Sequence, residues 1–293
     1  MYCNNMLNYT FIIPHKNSPD LLKRCVDSIP QRDDVQIIVV DDNSNDELKP
    51  SFHKERVVVK YLNSKEAKWA GHARNVGLSL AEGKWLLFAD ADDFYSDELL
   101  ACLDKYKDSN YDVVYFNYFR IKPGNRIEVD SLIEKYCVNQ DDLDFIKYRI
   151  NAPWNKMVRR SFVENNKILF EETVNGNDMF FTYQIGFLSK SIVMDKSAIY
   201  YYDTTTNGMT NNRRNSEDYY LCRLNHWYQT NAFFSYIGHK KWQSCIFSRL
   251  MAVLVNKGLF QFFLCIKVYL KHYTSIVNNK MKFVNRLDIN HIQ

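Results

Sequence analysis

Along the first hundred residues, short apolar runs rich in β-branched side chains alternate with stretches whose apolar positions recur every three or four residues. The runs suit strands buried on both faces of a sheet and the stretches suit helices packed against it. The pattern therefore predicts βαβ units and a mostly parallel sheet. Strands are expected at 9–14 (YTFIIP), 35–40 (VQIIVV), 57–62 (VVVKYL), 84–89 (KWLLFA) and 112–121 (DVVYFNYFRI). Ser18-Pro19-Asp20 offers a cap, a proline suited to the first turn and an acid placed against the helix dipole. Leu21, Leu22, Cys25, Val26 and Ile29 follow at helical spacing. Further helices are predicted over 68–81 and 175–188, the latter with Asp178 near its start. The stretch 126–175 is mixed, 204–215 (TTTNGMTNNRRN) has loop composition, and aromatic-rich helices are expected over 217–285. This divides the chain into an α/β body over 1–210, whose halves meet near residue 95, and a helical appendage over 211–293.

Two predicted strands run out into acids, Asp41-Asp42 after the second and Asp90-Ala91-Asp92-Asp93 after the fourth. Open α/β sheets bind ligands outside the carboxyl ends of their strands, so the two loops are expected to converge on one crevice. Asp90 and Asp92 suit a hard divalent ion shared with substrate phosphates, because such ions take one or two protein carboxylates and complete their shell with phosphate oxygens and water. The same acids also suit a solvated turn capping a helix that starts near Ser96.

Composition narrows the classes further. With 293 residues, 46% apolar and 25% charged, the chain is globular rather than disordered or fibrous. Its seven cysteines are scattered and form no C-x-x-C pair, which points to reduced thiols rather than a disulfide framework or a zinc knuckle. No basic segment followed by a long apolar one opens the chain, so a cytoplasmic location is expected. The formal charge of +4 is unevenly spread: residues 219–293 hold ten Lys/Arg against Asp288 alone, leaving the body net acidic. The run 259–273 falls short of the roughly 20 apolar residues that span a bilayer. Phe262, Phe263, Ile266 and Leu270 share this tail with Lys267, Lys271 and Lys280. That mixture reads either as an amphipathic helix making peripheral contact with anionic lipid or as a helix packed on the body with solvated lysines. No nucleic-acid partner is expected, since the positive charge lies among apolar helices without a recognised motif.

Six segments then combine: FIIPHKN, VVDDNSND, AGHARNVGLSLAEGKW, LLFADADDFY, PWNKMVRRSF and GNDMFF, in this order within residues 8–210. In sequence and spacing the chain resembles a family 2 glycosyltransferase of GT-A fold. The resemblance implies an inverting enzyme that moves a sugar from a nucleotide-sugar, a UDP-sugar being expected, onto a glycan or lipid-linked acceptor in surface-polysaccharide synthesis. It implies a divalent cation, Mn²⁺ or Mg²⁺. It places Pro14 in the base-binding loop, Asp42 on the base, Arg74 on the diphosphate or against the acidic loop, and Asp90 on the ribose. Asp92 falls to the metal with Asp93 beside it, and Asp178 to the general base. The family's acid before that base is replaced here by Asn177. Trp154, Asn155 and Lys156 match an acceptor-side motif, where Trp154 serves either a sugar ring or the core. His15, His72 and His226 lack ligand-like spacing and are read as structural. A nucleotidyltransferase shares the architecture and the acids, but FIIPHKNSPD lacks the glycines of a phosphate loop. A non-catalytic basic module rests on tail charge alone.

Overall fold

In the computed structural model, residues 7–136, 140–206 and 216–291 are described. Strand β1 (Tyr9–His15) lies between β2 (Val35–Asp41) and β4 (Trp85–Phe88), parallel to both, and β3 (Val57–Tyr61) extends the sheet beyond β2. Every residue of β1, β2 and β4 is buried, as the continuous apolar runs require. The chain builds outward from β1 to β3, then returns through α2 (Trp69–Leu80) to place β4 on the other side of β1. The strand order thus reverses between β1 and β4, which is where open α/β sheets form their ligand crevice.

Beyond β4 the order continues through β8 (Lys156–Arg159), β6 (Val113–Lys122) and β9 (Ile192–Asp203) to β5 (Phe94–Tyr95), with β7 (Arg126–Asp130) paired to β6. The β4–β8, β8–β6 and β5–β9 pairings are antiparallel, so a mixed half adjoins the parallel one. Alternation along the strands feeds two apolar layers. Tyr9, Phe11 and Ile13 join α1 (Pro19–Asp27) and α3 (Leu99–Asp104) on one face; Ile12, Ile38 and Val40 join α2 and α7 (Met179–Leu188) on the other. The mixed stretch is completed by α4 (Leu132–Tyr136), α5 (Gln140–Arg149) and α6 (Arg160–Asn165).

Glycine sets two close approaches in α2. A Cβ on Gly77 would meet Ile12 Cγ2 at 2.4 Å, and one on Gly71 would meet the Glu171 carbonyl oxygen at 2.0 Å. The helix therefore lies directly on β1 and on the segment leading to Asn177.

Local details depart from the sequence expectations. Ser18 precedes α1 but does not cap it through its side chain; its hydroxyl donates to the Lys16 carbonyl (3.3 Å) and its N–H to His15 Nε2 (3.0 Å). The expected helix at 175 begins only at Met179. Of the expected loop at 204–215, residues 207–215 lie outside the described residues.

The chain divides into two compact units, Met1–Glu172 with Asn177–Asn207, and Thr173–Gly176 with Gly208–Gln293. The second unit holds α8 (Glu217–Tyr236), α9 (Ile246–Lys257), α10 (Leu259–Asn278) and α11 (Lys282–His291). Tyr219, Tyr220, Leu224, Cys265, Val268 and Ile276 form its core, and Glu217 accepts from Lys267 (2.7 Å) and Lys271 (3.1 Å). Phe260 and Phe263 of α10 stay exposed at 77% and 62%. Among the described residues no helix is long and apolar enough to cross a membrane. The described cysteines, Cys25, Cys102, Cys222, Cys245 and Cys265, are all free thiols, and Cys3 and Cys137 lie outside the described residues.

Candidate active site

The carboxyl ends of β1, β2 and β4 bring the two acidic loops to the switch point. Pro14 is buried within β1 opposite Val40, and the Asp42 N–H donates to the His15 carbonyl (2.8 Å), carrying the pairing one residue past the strands. Asp41 faces inward. It accepts from His15 Nδ1 (2.7 Å) and from the backbone N–H of Ser44 (3.0 Å). Because His15 Nε2 accepts the Ser18 N–H, the ring proton sits on Nδ1 and the imidazole acts as a strut between loops. Burial works against the Asp41 charge, but the His15 and Ser44 bonds prevail and hold its carboxyl below the usual range.

Asp42 has the opposite environment. It is 6% exposed, with Lys16 Nζ at 3.8 Å from Oδ2, and its Oδ1 is buried without a hydrogen-bond donor among the described residues. Burial raises its carboxyl, against the pull of Lys16 and of the Lys68 and Trp69 backbone amides. An acceptor left unanswered in this way costs about 1–3 kcal/mol unless a ligand N–H reaches it.

Around the second loop the three aspartates are sorted by their partners. Asp90 is half-buried and ion-paired with Arg74 Nη2, and its N–H donates to the Tyr200 hydroxyl (2.9 Å). Tyr200 in turn donates to Asp93 Oδ2 (2.9 Å), while the Asp203 N–H donates to Asp93 Oδ1 (2.8 Å). Asp93 is only 1% exposed, and both of its oxygens are taken by the protein, so it braces the loop rather than offering an open ligand position. Burial, then the charges of Asp90 and Asp92, push its carboxyl well above the usual range. Asp92 is half-buried, accepts only from Thr206 Oγ1 (3.2 Å), and pairs with no cation among the described residues. Burial and then Asp90 raise its carboxyl too.

Among the described residues no three His, Cys, Asp or Glu side chains cluster as a protein-only metal site. A hard ion bound together with a diphosphate needs only one or two carboxylates, and Asp92, an oxygen donor paired with no cation among the described residues, fits that requirement.

Arg74 links the second acidic loop to the segment that leads into α7. It is 5% exposed, lies over the Phe170 ring at 5.3 Å, and donates from Nη1 to Asn177 Oδ1 (2.6 Å) while Nη2 pairs with Asp90. Asp178 follows Asn177 and stands at the start of α7, yet its side chain makes no capping hydrogen bond. Burial and then Asp90 raise its carboxyl, against Arg74 and Lys156. Lys156 is fully buried in β8; its ammonium donates to the Ile150 and Ala152 carbonyls and to Asn155 Oδ1 (2.8 Å). Burial pushes Lys156 down to about 7, with Asp178 opposing. Trp154, 6% exposed, stacks on Tyr200 at 4.7 Å and belongs to the core rather than to a sugar subsite.

Arg24 and Tyr200 were not legible as site residues. Arg24 donates to Asp203 Oδ2 (3.0 Å) and to the Asp92 carbonyl (2.5 Å), and it covers the Phe94 ring at 4.7 Å. It stands on a helix that the sequence marks only as amphipathic, and Tyr200 sits in a run of three tyrosines that nothing local distinguishes.

These features define an α/β fold with acids gathered at the switch point of its sheet. The model of the Glycosyl transferase family 2 matches residues 10–166, and the chain belongs to that family. It is 29% identical over 187 residues to the GalNAc(5)-diNAcBac-PP-undecaprenol beta-1,3-glucosyltransferase of Campylobacter jejuni, covering 59% of this chain and 58% of that one. It is 26% identical over 211 residues to the poly(ribitol-phosphate) beta-N-acetylglucosaminyltransferase TarS of Staphylococcus aureus, covering 67% and 35%. The chain thus spans less than two thirds of these relatives' lengths. The crystal structure of S. aureus TarS 1-349 in complex with UDP-GlcNAc superposes with a TM-score of 0.61 at 20% identity, over 94% of this chain and 90% of that one. The mannosyltransferase PcManGT of Pyrobaculum calidifontis, in complex with GDP-Man and Mn²⁺, gives 0.53 at 16%, over 97% and 86%. Both likenesses establish the shared fold.

Proposed function

We propose that the chain is an inverting glycosyltransferase that takes a sugar from a UDP-sugar and places it on a glycan or lipid-linked acceptor of surface-polysaccharide synthesis. The observation that carries this reading is the Arg74 bridge. One buried guanidinium holds the half-buried Asp90 at the switch point and Asn177, the neighbour of Asp178, so a donor carboxylate and an acceptor carboxylate belong to one braced unit. Asp42 accepts from the base, and Pro14 shapes the loop beneath it. Asp90 takes ribose hydroxyls, its backbone held by Tyr200.

Asp92 would hold the divalent cation, which when bound supplies charge neutralisation to the departing nucleoside diphosphate. Arg24 keeps the Asp92 backbone in place, and Asp93 keeps the loop in place beneath it. Asp178 removes the proton from the acceptor hydroxyl as that oxygen attacks the anomeric carbon from the side opposite the leaving group. A carboxyl raised by burial is a stronger base than a solvated one once ionised. A single displacement of this kind inverts the anomeric centre and needs no enzyme nucleophile.

The relatives named above act on undecaprenol-linked and polymer acceptors. A lipid-linked acceptor is consistent with peripheral contact of α10 with the cytoplasmic face of a membrane, through exposed Phe260 and Phe263 beside Lys257, Lys267 and Lys271. The reading is tested by incubating the purified chain with UDP-, GDP- and dTDP-sugars, with and without Mn²⁺ or Mg²⁺, and measuring release of free nucleoside diphosphate. Divalent-dependent release from a UDP-sugar is expected. Release from none of the donors refutes it.

A further inference from the structure

We propose that Trp69 is the stacking face for the nucleobase of the donor, and that a strained backbone is retained there to present it. The proposal rests on the reading of the Asp42 end of the crevice as the base site. Trp69 opens α2 with φ +72°, in the left-handed region. Asn17 (φ +54°) and Asn43 (φ +60°), on the loops after β1 and β2, occupy the same region, which asparagine tolerates. For a bulky aromatic it is an outlier, and glycine would take it without strain. The residue is nevertheless only half-buried, unlike Trp85 and Trp154, which are 0% and 6% exposed in the core. Strain that survives at a partly exposed aromatic is the kind that marks a functional position.

The chemistry beside it selects the ligand. The Lys68 and Trp69 backbone amides are among the groups that favour the Asp42 carboxylate against burial, so the indole is carried on a residue that adjoins this acid. Asp42 Oδ1, buried with its residue 6% exposed, still lacks a donor among the described residues. A planar heterocycle with an N–H on its edge answers both features at once: the edge donates to Oδ1 and the π-face meets the indole. A sugar ring offers hydroxyl donors, but it presents C–H groups rather than a π-face to stack.

The test is a titration of the full chain with UDP, with uridine and with the free monosaccharide, followed by intrinsic fluorescence and by calorimetry. Trp69→Phe, Trp69→Ala and Trp69→Gly are compared with wild type. Uridine and UDP should quench wild-type fluorescence, and the part of the quench due to Trp69 should vanish in Trp69→Phe while affinity is largely kept. Trp69→Ala and Trp69→Gly should lose about 5- to 150-fold in affinity for both ligands, the range of one base–aromatic stack. Trp69→Gly should melt within a few degrees of wild type, because relief of strain offsets lost contacts and the freer unfolded chain. That variant separates loss of binding from loss of fold. Uridine bound by Trp69→Gly within about twofold of wild type overturns the proposal while leaving the donor reading intact. Dependence on Trp69 seen with the monosaccharide but not with uridine overturns it in favour of a sugar platform. Failure of the wild type to bind UDP, GDP or dTDP defeats both.

Discussion

Replacing Asp178 by Asn separates a catalytic carboxylate from a structural one, because the two roles predict different outcomes here. An acid in front of a helix ordinarily contributes about 1 kcal/mol by accepting from the first free amides. Asp178 makes no such bond. What the substitution forfeits in folding is the attraction of a charge for the α7 amino end, about 0.3–1 kcal/mol. What it gains is relief from holding a charge in a buried setting near Asp90. Stability should therefore stay within about 1 kcal/mol of wild type, roughly 2–4 °C in melting temperature for a chain of this size.

Turnover should fall about 10²- to 10⁴-fold, equivalent to about 2.7–5.4 kcal/mol of activation free energy. The pH dependences run in opposite senses. With its carboxyl raised by burial, native Asp178 binds a proton more tightly than the unfolded chain does, so its contribution to stability declines as pH climbs from the ordinary carboxylate range through the raised value. Asp178→Asn should lose that part of the decline. Wild-type turnover should rise over the same span as the base ionises, and the variant should lose that limb. The assay is acceptor-dependent release of nucleoside diphosphate across pH, with UDP affinity and melting temperature measured on the same preparation. Turnover within tenfold of wild type, or parallel losses of stability and nucleotide affinity, would refute the reasoning and direct attention to Glu172, whose carboxylate His72 Nδ1 holds at 2.8 Å.

Asp92→Asn should abolish turnover and the divalent-dependent part of UDP binding; calorimetry with Mn²⁺ and with a chelator measures it, and an unchanged Mn²⁺ dependence excludes Asp92 as the ligand. Asp42→Asn should weaken UDP binding about 5- to 150-fold, the range of an unmatched buried acceptor, with metal dependence intact. Because burial raises the Asp42 carboxyl, that variant should also gain stability relative to wild type as pH rises through the raised value; melting curves between acid and neutral pH test this. Phe260→Ser combined with Phe263→Ser should reduce cosedimentation with anionic vesicles in a salt-sensitive manner, whereas wild type that fails to sediment argues that the exposed face has another role.

How far each feature could be read in advance depends on how local its cause is. β1, β2 and β4 are buried on both faces, and such a strand needs an unbroken apolar run, so one-dimensional pattern sufficed to locate them. The α/β class and the family followed from those runs and from motifs ordered along the chain. The start of α7 was misread because Asn175-Gly176-Asn177 adjoins a strongly apolar helix, while Gly176 takes φ +65° and keeps the segment out of it. Ser18 failed as a side-chain cap because its amide is bound by His15, an interaction that depends on where β1 ends.

By itself, then, the sequence determined strands β1 to β4 and β6, the helices α1 and α2, the family and the presence of acids at strand ends, since each depends on residues within a few positions of one another, whereas β5, β7, β8 and β9 were not among the expected strands. Only the tertiary structure decided what each acid does. Asp92 and Asp93 are adjacent, yet Asp93 is occupied by Tyr200 and Asp203, 107 and 110 residues away, while Asp92 keeps one hydroxyl partner, Thr206, among the described residues. Arg74 reaches Asn177 across 103 residues because Gly71 lets α2 lie against that segment, and Lys156 is charged in sequence but fully buried in the fold. Local periodicity encodes which face of an element is apolar. The partner of a charged side chain is set by the crossovers that bring distant elements together, and no spacing along the chain records it.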